Sequence, residues 1–382
     1  MTRALLGVLA FLCLGSSLPA QNIRQADSLF RAGQRALEAA DTAGYQRNSD
    51  SAARMMPAGS LNRPFVQYHA ARANALMGRA AASGAWLGRM LDEDIEGLMA
   101  WYSSIDGGFD RIRSSEPYQA VARRTASLNL KSTPLGHGLL LLEGAGGNVV
   151  VAPAADGMLV IDAGYEPGGP AVARALPSGQ PARWIVLTHA HEDHVGGVPA
   201  LGKDAVILAH PGTITTLQSA QEFITGVEAP AKPFAGTIHP VTQRRVIPLR
   251  GGDSAIVVPL PAHTNGDLLV WFPQAHVLAT GDNFLPGANP FLELGGIQDI
   301  QGYLAAMGEL IASLHPDTKV VPGHGKVASL EELRAIFEKT RDGVEFVRAK
   351  KAEGVALADI KTEGATRDLP GPWIERAYRR VR

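Results

Sequence analysis

The chain has 382 residues, 46% of them hydrophobic and 19% charged, which is enough apolar material for one or two globular cores and too much for wholesale disorder. Lys and Arg number 36 against 37 Asp and Glu, so the formal net charge is −1 and no bulk field is available to hold a polyanion; no nucleic-acid partner is expected. Cys13 is the only cysteine, and with its segment removed the mature chain has no disulfide, no thiolate nucleophile and no cysteine-bound metal.

Residues 1–20 carry one early cation, Arg3, then an apolar run from Ala4 to Gly15, then Ser16, Ser17, Leu18, Pro19 and Ala20. This reads as a secretory signal peptide cleaved after Ala20. As an uncleaved anchor the run of 12 residues falls short of the roughly 20 needed to span a bilayer. Bulky Phe11 and Leu12 before Cys13 argue against a lipoprotein. No later run is long and uncharged enough to cross, so no stable membrane anchor is expected, and the mature chain is expected to be periplasmic or secreted.

Residues 21–130 are rich in Ala, Arg, Leu and Met at helical spacing: Leu29, Phe30, Gly33 and Leu37 mark one face, and Val66, His69, Ala70, Ala73, Leu76 and Met77 another. Breaks are expected at Gly44, between Pro57 and Pro64, at Gly84 and at Asp106-Gly107-Gly108. The stretch from Tyr68 through Trp86 to Tyr118 loosely resembles tetratricopeptide-like hairpin repeats, without a strict 34-residue period. One reading is a surface for a protein partner or self-association; the other is a helical collar on the next domain, favoured by the low repeat count.

Residues 131–382 change texture. Short runs rich in Val, Ile and Leu (Leu139 to Leu142, Val149 to Ala152, Met158 to Asp162, Trp184 to Leu187, Ala205 to Ala209, Ala255 to Pro259, Leu268 to Phe272, Val277 to Ala279) alternate with Gly/Pro turns. Helices are expected near Ala171 to Leu176, Thr213 to Thr225, Gln301 to Leu314 and Leu330 to Ala349. The alternation implies an α/β or α+β sandwich with sheets inside and helices outside.

The informative passage is Thr188-His189-Ala190-His191-Glu192-Asp193-His194-Val195-Gly196-Gly197, directly after the apolar run Trp184 to Leu187. A strand ending in three imidazoles and a carboxylate places them in a loop at the sheet's edge. In extended chain His189 and His191 point the same way and can reach one cation. Asp193 and His194 follow where the chain turns toward a helix and can serve a second. Unpaired buried imidazoles cost free energy, so this density of them reads as a metal site rather than a polar loop.

The pattern H-x-H-x-D-H followed by Gly-Gly resembles the metallo-β-lactamase fold metallohydrolases, and four further motifs follow that family's order. Asp162-Ala163-Gly164 looks like its early acidic motif, His263 lies in a segment similar to H-T-x-G, Asp282 closes Thr280-Gly281-Asp282, and His324 lies in Pro322-Gly323-His324-Gly325. The resemblance covers roughly Ser132 to Gly325 and implies an αββα sandwich preceded by the small all-helical region. It assigns His189, His191 and His263 to one metal, Asp193, His194 and His324 to a second, and Asp282 as a bridge, with Asp162 and Asp267 buttressing the ligand loops. Such donors suit Zn²⁺, two per chain, with Fe or Mn as substitutes. The implied chemistry is a metal-bridging hydroxide attacking an acyl group, with Asp193 as the catalytic proton acceptor or relay.

The remaining histidines, His69, His137, His210, His239, His276 and His315, are expected outside the site, His210 nearest to it, and Glu192 is expected to face away. Asp282 stands where cysteine-using metallo-β-lactamases place a thiolate, so the chain looks closer to glyoxalase II-type thioesterases and lactonases. His191 stands where flavin-coupled di-iron relatives carry glutamate. The expected substrate is a small-molecule ester, thioester, lactone or amide, β-lactams included. Two apolar loops, Asn283 to Phe291 and Phe223 to Phe234, are candidates either to line the cleft or to cap the core. The alternative function is an accessory or binding protein that recruits a partner through its helices and keeps a vestigial metal site.

Overall fold

The computed structural model describes residues 17–58, 60, 63–93, 97–126, 130–177, 180–202, 204–219, 221–222, 228–229, 237–286 and 299–381. The expected signal peptide lies outside these residues except for Ser17 to Ala20, which open helix α1 (Ser17–Glu38). Then come α2 (Thr42–Met55), α3 (Arg63–Leu76), α4 (Ala80–Glu93), the one-turn α5 (Leu98–Tyr102) and α6 (Glu116–Ala126). Sequential neighbours pack on one another around Met56, Tyr68, Leu87, Met90, Trp101, Phe109 and Tyr118. No helix among the described residues is long and apolar enough to cross a membrane.

Gly44 and Gly84 sit inside α2 and α4 and break neither helix. The Asp41 side chain caps α2 by accepting from the Gly44 backbone N–H at 2.8 Å. Gly84 lets α6 approach, since a methyl group there would lie 2.8 Å from the Pro117 side chain. Both glycines therefore answer to helix ends and packing, which composition alone does not separate from turns.

Beyond Lys131 two sheets stack face to face. The first has seven strands: β1 (Lys131–Gly136), β2 (Leu139–Glu143), β3 (Val149–Ala154), β4 (Gly157–Ile161), β5 (Ala182–Val186), β6 (Val206–Ala209) and, after the small ribbon of β7 (Gln221–Glu222) and β8 (Glu228–Ala229), β9 (Ile238–Pro240). It is antiparallel from β1 to β4 and parallel from β4 to β9. The second has six: β10 (Arg245–Pro248), β11 (Ser254–Pro259), β12 (Leu268–Phe272), β13 (Val277–Gly281), β14 (Lys319–Pro322) and β15 (Ala328–Ser329), with β13 and β14 parallel.

Period-two alternation sends Leu159 and Ile161 inward against Val257, Val270, Phe272 and Val321 of the facing sheet. Their neighbours Met158 and Val160 face outward, against α7 (Gly169–Ala175), α8 (Glu192–Val195) and α9 (Pro211–Leu217). On the far side α10 (Ile300–Ser313) and α11 (Leu330–Ala352) cover Leu269, Leu278 and Val320 through Met307, Ile311 and Leu333. The C-terminal α12 (Leu357–Ala365) and α13 (Gly371–Arg380) close on α11 through Ile360, Trp373 and Ile374. This is the αββα sandwich, preceded by an all-helical region. The helix expected over Thr213 to Thr225 ends at Leu217, because Thr213-Ile214-Thr215-Thr216 is a β-branched run of low helical propensity and strand β7 follows.

One buried polar group in the helical region has a pH signature. The His69 Nδ1 meets the Tyr45 hydroxyl at 2.7 Å and the Gln34 amide at 3.1 Å. Burial holds its pKa down at about 3, with Arg72 lowering it further and Asp106 opposing. Between about pH 6.5 and 3 the unfolded chain therefore binds a proton that the folded chain does not. Stability is present above that window and is lost as pH falls through it, by up to about 1.4 kcal/mol per pH unit. Urea unfolding followed by tryptophan fluorescence from pH 7 to pH 4 should show this slope, and His69→Gln should flatten it.

Candidate metal centre

All the ligand-bearing loops leave one end of the sandwich, beyond the carboxyl ends of β4, β5, β13 and β14 and the turn after β11. Asp162 ends β4 and organises the loop that follows β5. Its carboxylate accepts from the Thr188 backbone N–H and from the Thr188 hydroxyl, each at 2.7 Å, and meets His194 Nδ1 at 2.7 Å. To do so Asp162 adopts φ of 60°, a left-handed conformation that costs a non-glycine residue on the order of 1 kcal/mol. Thr188 in turn is seated against Gly281, where φ is 51° and an added methyl group would lie 2.6 Å from the Thr188 hydroxyl. The next residue on that loop is Asp282, so one close approach sets the spacing between the two sheets' ligands.

His191 caps the one-turn α8, which carries Asp193 and His194. The His263 loop is held by Asp267, whose carboxylate accepts from the Ala262 and Thr264 backbone N–H groups at 2.6 and 2.8 Å and from the Thr264 hydroxyl at 2.7 Å. Burial pushes Asp267 up to about 7 against those three donors. Two amides not picked out as site residues complete the frame. Asn283 accepts from the His263 backbone N–H at 3.1 Å and donates to the Leu260 carbonyl at 3.1 Å. Asn148, after β2, donates to the carbonyls of Pro322 and Gly325, both at 2.9 Å, on either side of His324. Both act across long sequence separations, so no local pattern marks them.

The seven side chains fall into two groups within which all ligand atoms lie within 4.8 Å of one another: His189, His191, His263 and Asp282; and Asp193, His194 and His324. In the first, His191 Nδ1 is 2.9 Å from His189 Nε2 and 3.1 Å from His263 Nε2. In the second, Asp193 Oδ2 is 2.8 Å from His324 Nε2 and 3.5 Å from His194 Nε2. Asp282 stands between them, with Oδ2 3.6 Å from His263 Nε2 and 3.7 Å from His324 Nε2, and Oδ1 3.5 Å from His194 Nε2. A side chain at Gly323 would collide with that carboxylate.

Electrostatics separate the halves. Burial first, then the neighbouring imidazoles, holds His189 and His263 well below the ordinary histidine range, and burial lowers His191. These are neutral lone-pair donors. For His194 burial acts downward, but Asp162, Asp193 and Asp282 outweigh it and push the pKa up to about 9. Burial raises Asp193, yet His194 and His324 pull harder and leave it below the ordinary carboxylate range. His194 Nε2 and Asp282 Oδ1 are buried with no hydrogen bond among the described residues. Three converging imidazoles, a facing carboxylate and two orphaned buried atoms fit divalent cations.

The other histidines lie elsewhere. His69 belongs to the helical core network, His137 to the β1–β2 turn and His239 to β9, while His276 stacks on His315 at 3.9 Å. His210 caps α9, accepting from the Gly212 N–H at 3.1 Å. Glu192 is 5% exposed and in neither ligand group. Of the two apolar loops, Phe284 is 1% exposed and packs under α10, so it caps the core. Residues 287–291 and most of Phe223 to Phe234 lie outside the described residues.

An αββα sandwich with five histidine- and aspartate-bearing loops converging at one end is the arrangement of a metallo-β-lactamase-type domain. Residues 143–324 match the metallo-β-lactamase superfamily model, in keeping with the αββα fold of that part of the chain. A metallo-β-lactamase type 2 from Bacillus sp. (strain 170) is 31% identical over 147 residues, 37% of this chain and 51% of that protein. A hydroxyacylglutathione hydrolase from Fuscovulum blasticum is 24% identical over 189 residues, 50% of this chain and 63% of its own length. A solved β-lactamase domain protein from Burkholderia ambifaria has 19% identity and a TM-score of 0.48, covering 64% of this chain and 88% of that one. The chain spans about half the length of the metallo-β-lactamases it matches.

The two halves should differ in how protons compete with a cation. A cation at the second group displaces the His194 proton, so its uptake should weaken by up to about tenfold per pH unit below about pH 9. The first group, with neutral imidazoles, should bind with little pH dependence down to about pH 6.5. Zn²⁺ titration of metal-stripped protein in weak buffer should accordingly release a proton with the second equivalent and little with the first.

Proposed function

We propose that this protein is a metal-dependent hydrolase that cleaves a small-molecule ester, thioester, lactone or amide, β-lactams included, after export to the periplasm or the medium. The observation that carries this reading is Asp282 standing between two groups of imidazole and carboxylate donors. A matching pair of relatives, one named a metallo-β-lactamase and one a hydroxyacylglutathione hydrolase, supports hydrolysis of an acyl bond. The carboxylate at Asp282, in place of a thiolate, supports the thioester and lactone end of that range. The pattern of residues 1–20 supports export.

His189, His191 and His263 would hold one cation, Asp193, His194 and His324 the other, and Asp282 both. A divalent pair there, Zn²⁺ by preference with iron or manganese as substitutes, supplies Lewis acidity and brings a coordinated water's pKa from about 15.7 toward 7. The chain's own residues then do three things. Asp162 keeps His194 oriented, taking its Nδ1 side so that Nε2 faces the site. Asp193 Oδ2, beside His324 Nε2 at 2.8 Å, accepts the proton of the attacking water. Asp267 and Asn283 fix the backbone on both sides of His263. The water oxygen bonds to the acyl carbon, and the bond to the leaving oxygen, sulfur or nitrogen breaks. No serine or cysteine nucleophile is required.

Turnover of a panel containing a generic ester, a thioester, a lactone and a β-lactam tests this. His191→Ala and Asp282→Ala should each lower kcat/KM by more than about 100-fold, beyond the 10- to 100-fold expected of residues that only support ligands. Circular dichroism should stay unchanged. Metal analysis should find two equivalents in active wild-type protein. A folded, metal-loaded protein inert on every member of the panel would turn the assignment toward the accessory role.

A further inference from the structure

We propose that the helical region is a working part of the metal centre: through Trp101 of α5 it positions the loops that carry Asp193, His194 and His324. This rests on the metal reading above. Trp101 meets the ring of Tyr165 edge-on at 5.3 Å, and Tyr165, although it belongs to the loop after β4, is fully buried in the helical core. That loop begins at Asp162, the residue that holds Thr188 and His194, and Ala163 N–H donates to the His194 carbonyl at 2.8 Å. Tyr165 N–H donates to the Ala145 carbonyl at 2.8 Å, and its ring lies against Gly146. Gly147 backs onto the carbonyls of Asp193 and Gly323 and the His194 ring. A short path of packed groups thus runs from α5 through Tyr165 to all three residues of the second group.

Tyr102, the last residue of α5, is 2% exposed, and its ring packs on Trp101 at 5.3 Å. Burial raises its phenol well above the ordinary range, and the charges of Asp193, Glu192 and Asp282 add to that. Among the described residues the first group meets this path at one place, where Asp162 holds Thr188 beside His189, and is otherwise framed by Asp267 and Asn283. The coupling should accordingly fall more heavily on the second cation.

The test is a Zn²⁺ titration of metal-stripped full-length protein against a chromophoric chelator, comparing wild type with Trp101→Phe and Trp101→Ala. Wild type should take up two equivalents. Trp101→Ala should weaken the second by about tenfold or more, the size expected for loss of an outer support. The first equivalent should weaken by less, and Trp101→Phe should restore most of the second. In wild type, Zn²⁺ should also delay urea unfolding of the helical region, a readout that needs no variant. Two equivalents bound by every variant as in wild type, with helical unfolding indifferent to zinc, would overturn this proposal alone. Wild type that takes up no zinc would overturn the metal reading on which it rests.

Discussion

Three imidazole nitrogens, His189 Nε2, His191 Nδ1 and His263 Nε2, meet at 2.9 and 3.1 Å in a buried space faced by Asp282. No placement of protons satisfies this cluster well. His191 Nδ1 can exchange one proton with one neighbour at a time, which leaves the other facing a lone pair or another N–H. Charging the rings is opposed by burial and by their mutual repulsion. A divalent cation removes the conflict, because each lone pair then has a common acceptor. The other features of the site keep these donors close despite their repulsion.

That confinement explains the strain around the site. Asp162 accepts a left-handed backbone to place both carboxylate oxygens, one on the Thr188 backbone and one shared between the Thr188 hydroxyl and His194. Gly281 and Gly323 are glycines because side chains there would strike Thr188 and Asp282. Strand ends supply the rigidity: β4, β5, β13 and β14 are each buried on both faces at their carboxyl ends, so the loops they release begin from fixed points. His194, the backbone of His263 and the turn around His324 are each held by a hydrogen bond to a different loop, and the sheet-to-sheet distance becomes the ligand-to-ligand distance.

The ligand loops were readable because their chemistry is local. His189 to His194 follow one apolar strand, and Asp282 and His324 each close another, so residue type and strand-end position coincide within a few residues. The strands were legible as short apolar runs, but a run such as Met158 to Ile161, apolar throughout and buried on both faces, does not show which side chains turn to which layer. What stayed hidden depends on distant partners. Asn148 matters through carbonyls at 322 and 325, and Asn283 through the His263 backbone, and neither has a sequence signature for that. Gly44 and Gly84 were misread as breaks because a glycine chosen for a cap or for helix contact looks like a glycine chosen for a turn. The helix after His210 stops at Leu217, short of Thr225, because a β-branched run limits it and a strand follows.

The helical region illustrates how a folded unit shows where it is finished and where it is not. Its two buried carboxylates are fully engaged. Asp50 takes donors from Asn74, Trp86 and Gln46, and Asp106 from Tyr68, Arg72 and the Gly108 N–H. Buried ionic groups of this kind fix one arrangement of the helices more than they add net stability. The apolar cluster, by contrast, is completed from outside, since Tyr165 of the sandwich fills it beside Trp101. A unit that borrows a core residue from the loop bearing Asp162 is not free to move independently of that loop. Packing of the helices and geometry of the ligands are therefore terms in one equilibrium, and a change in either is felt in the other.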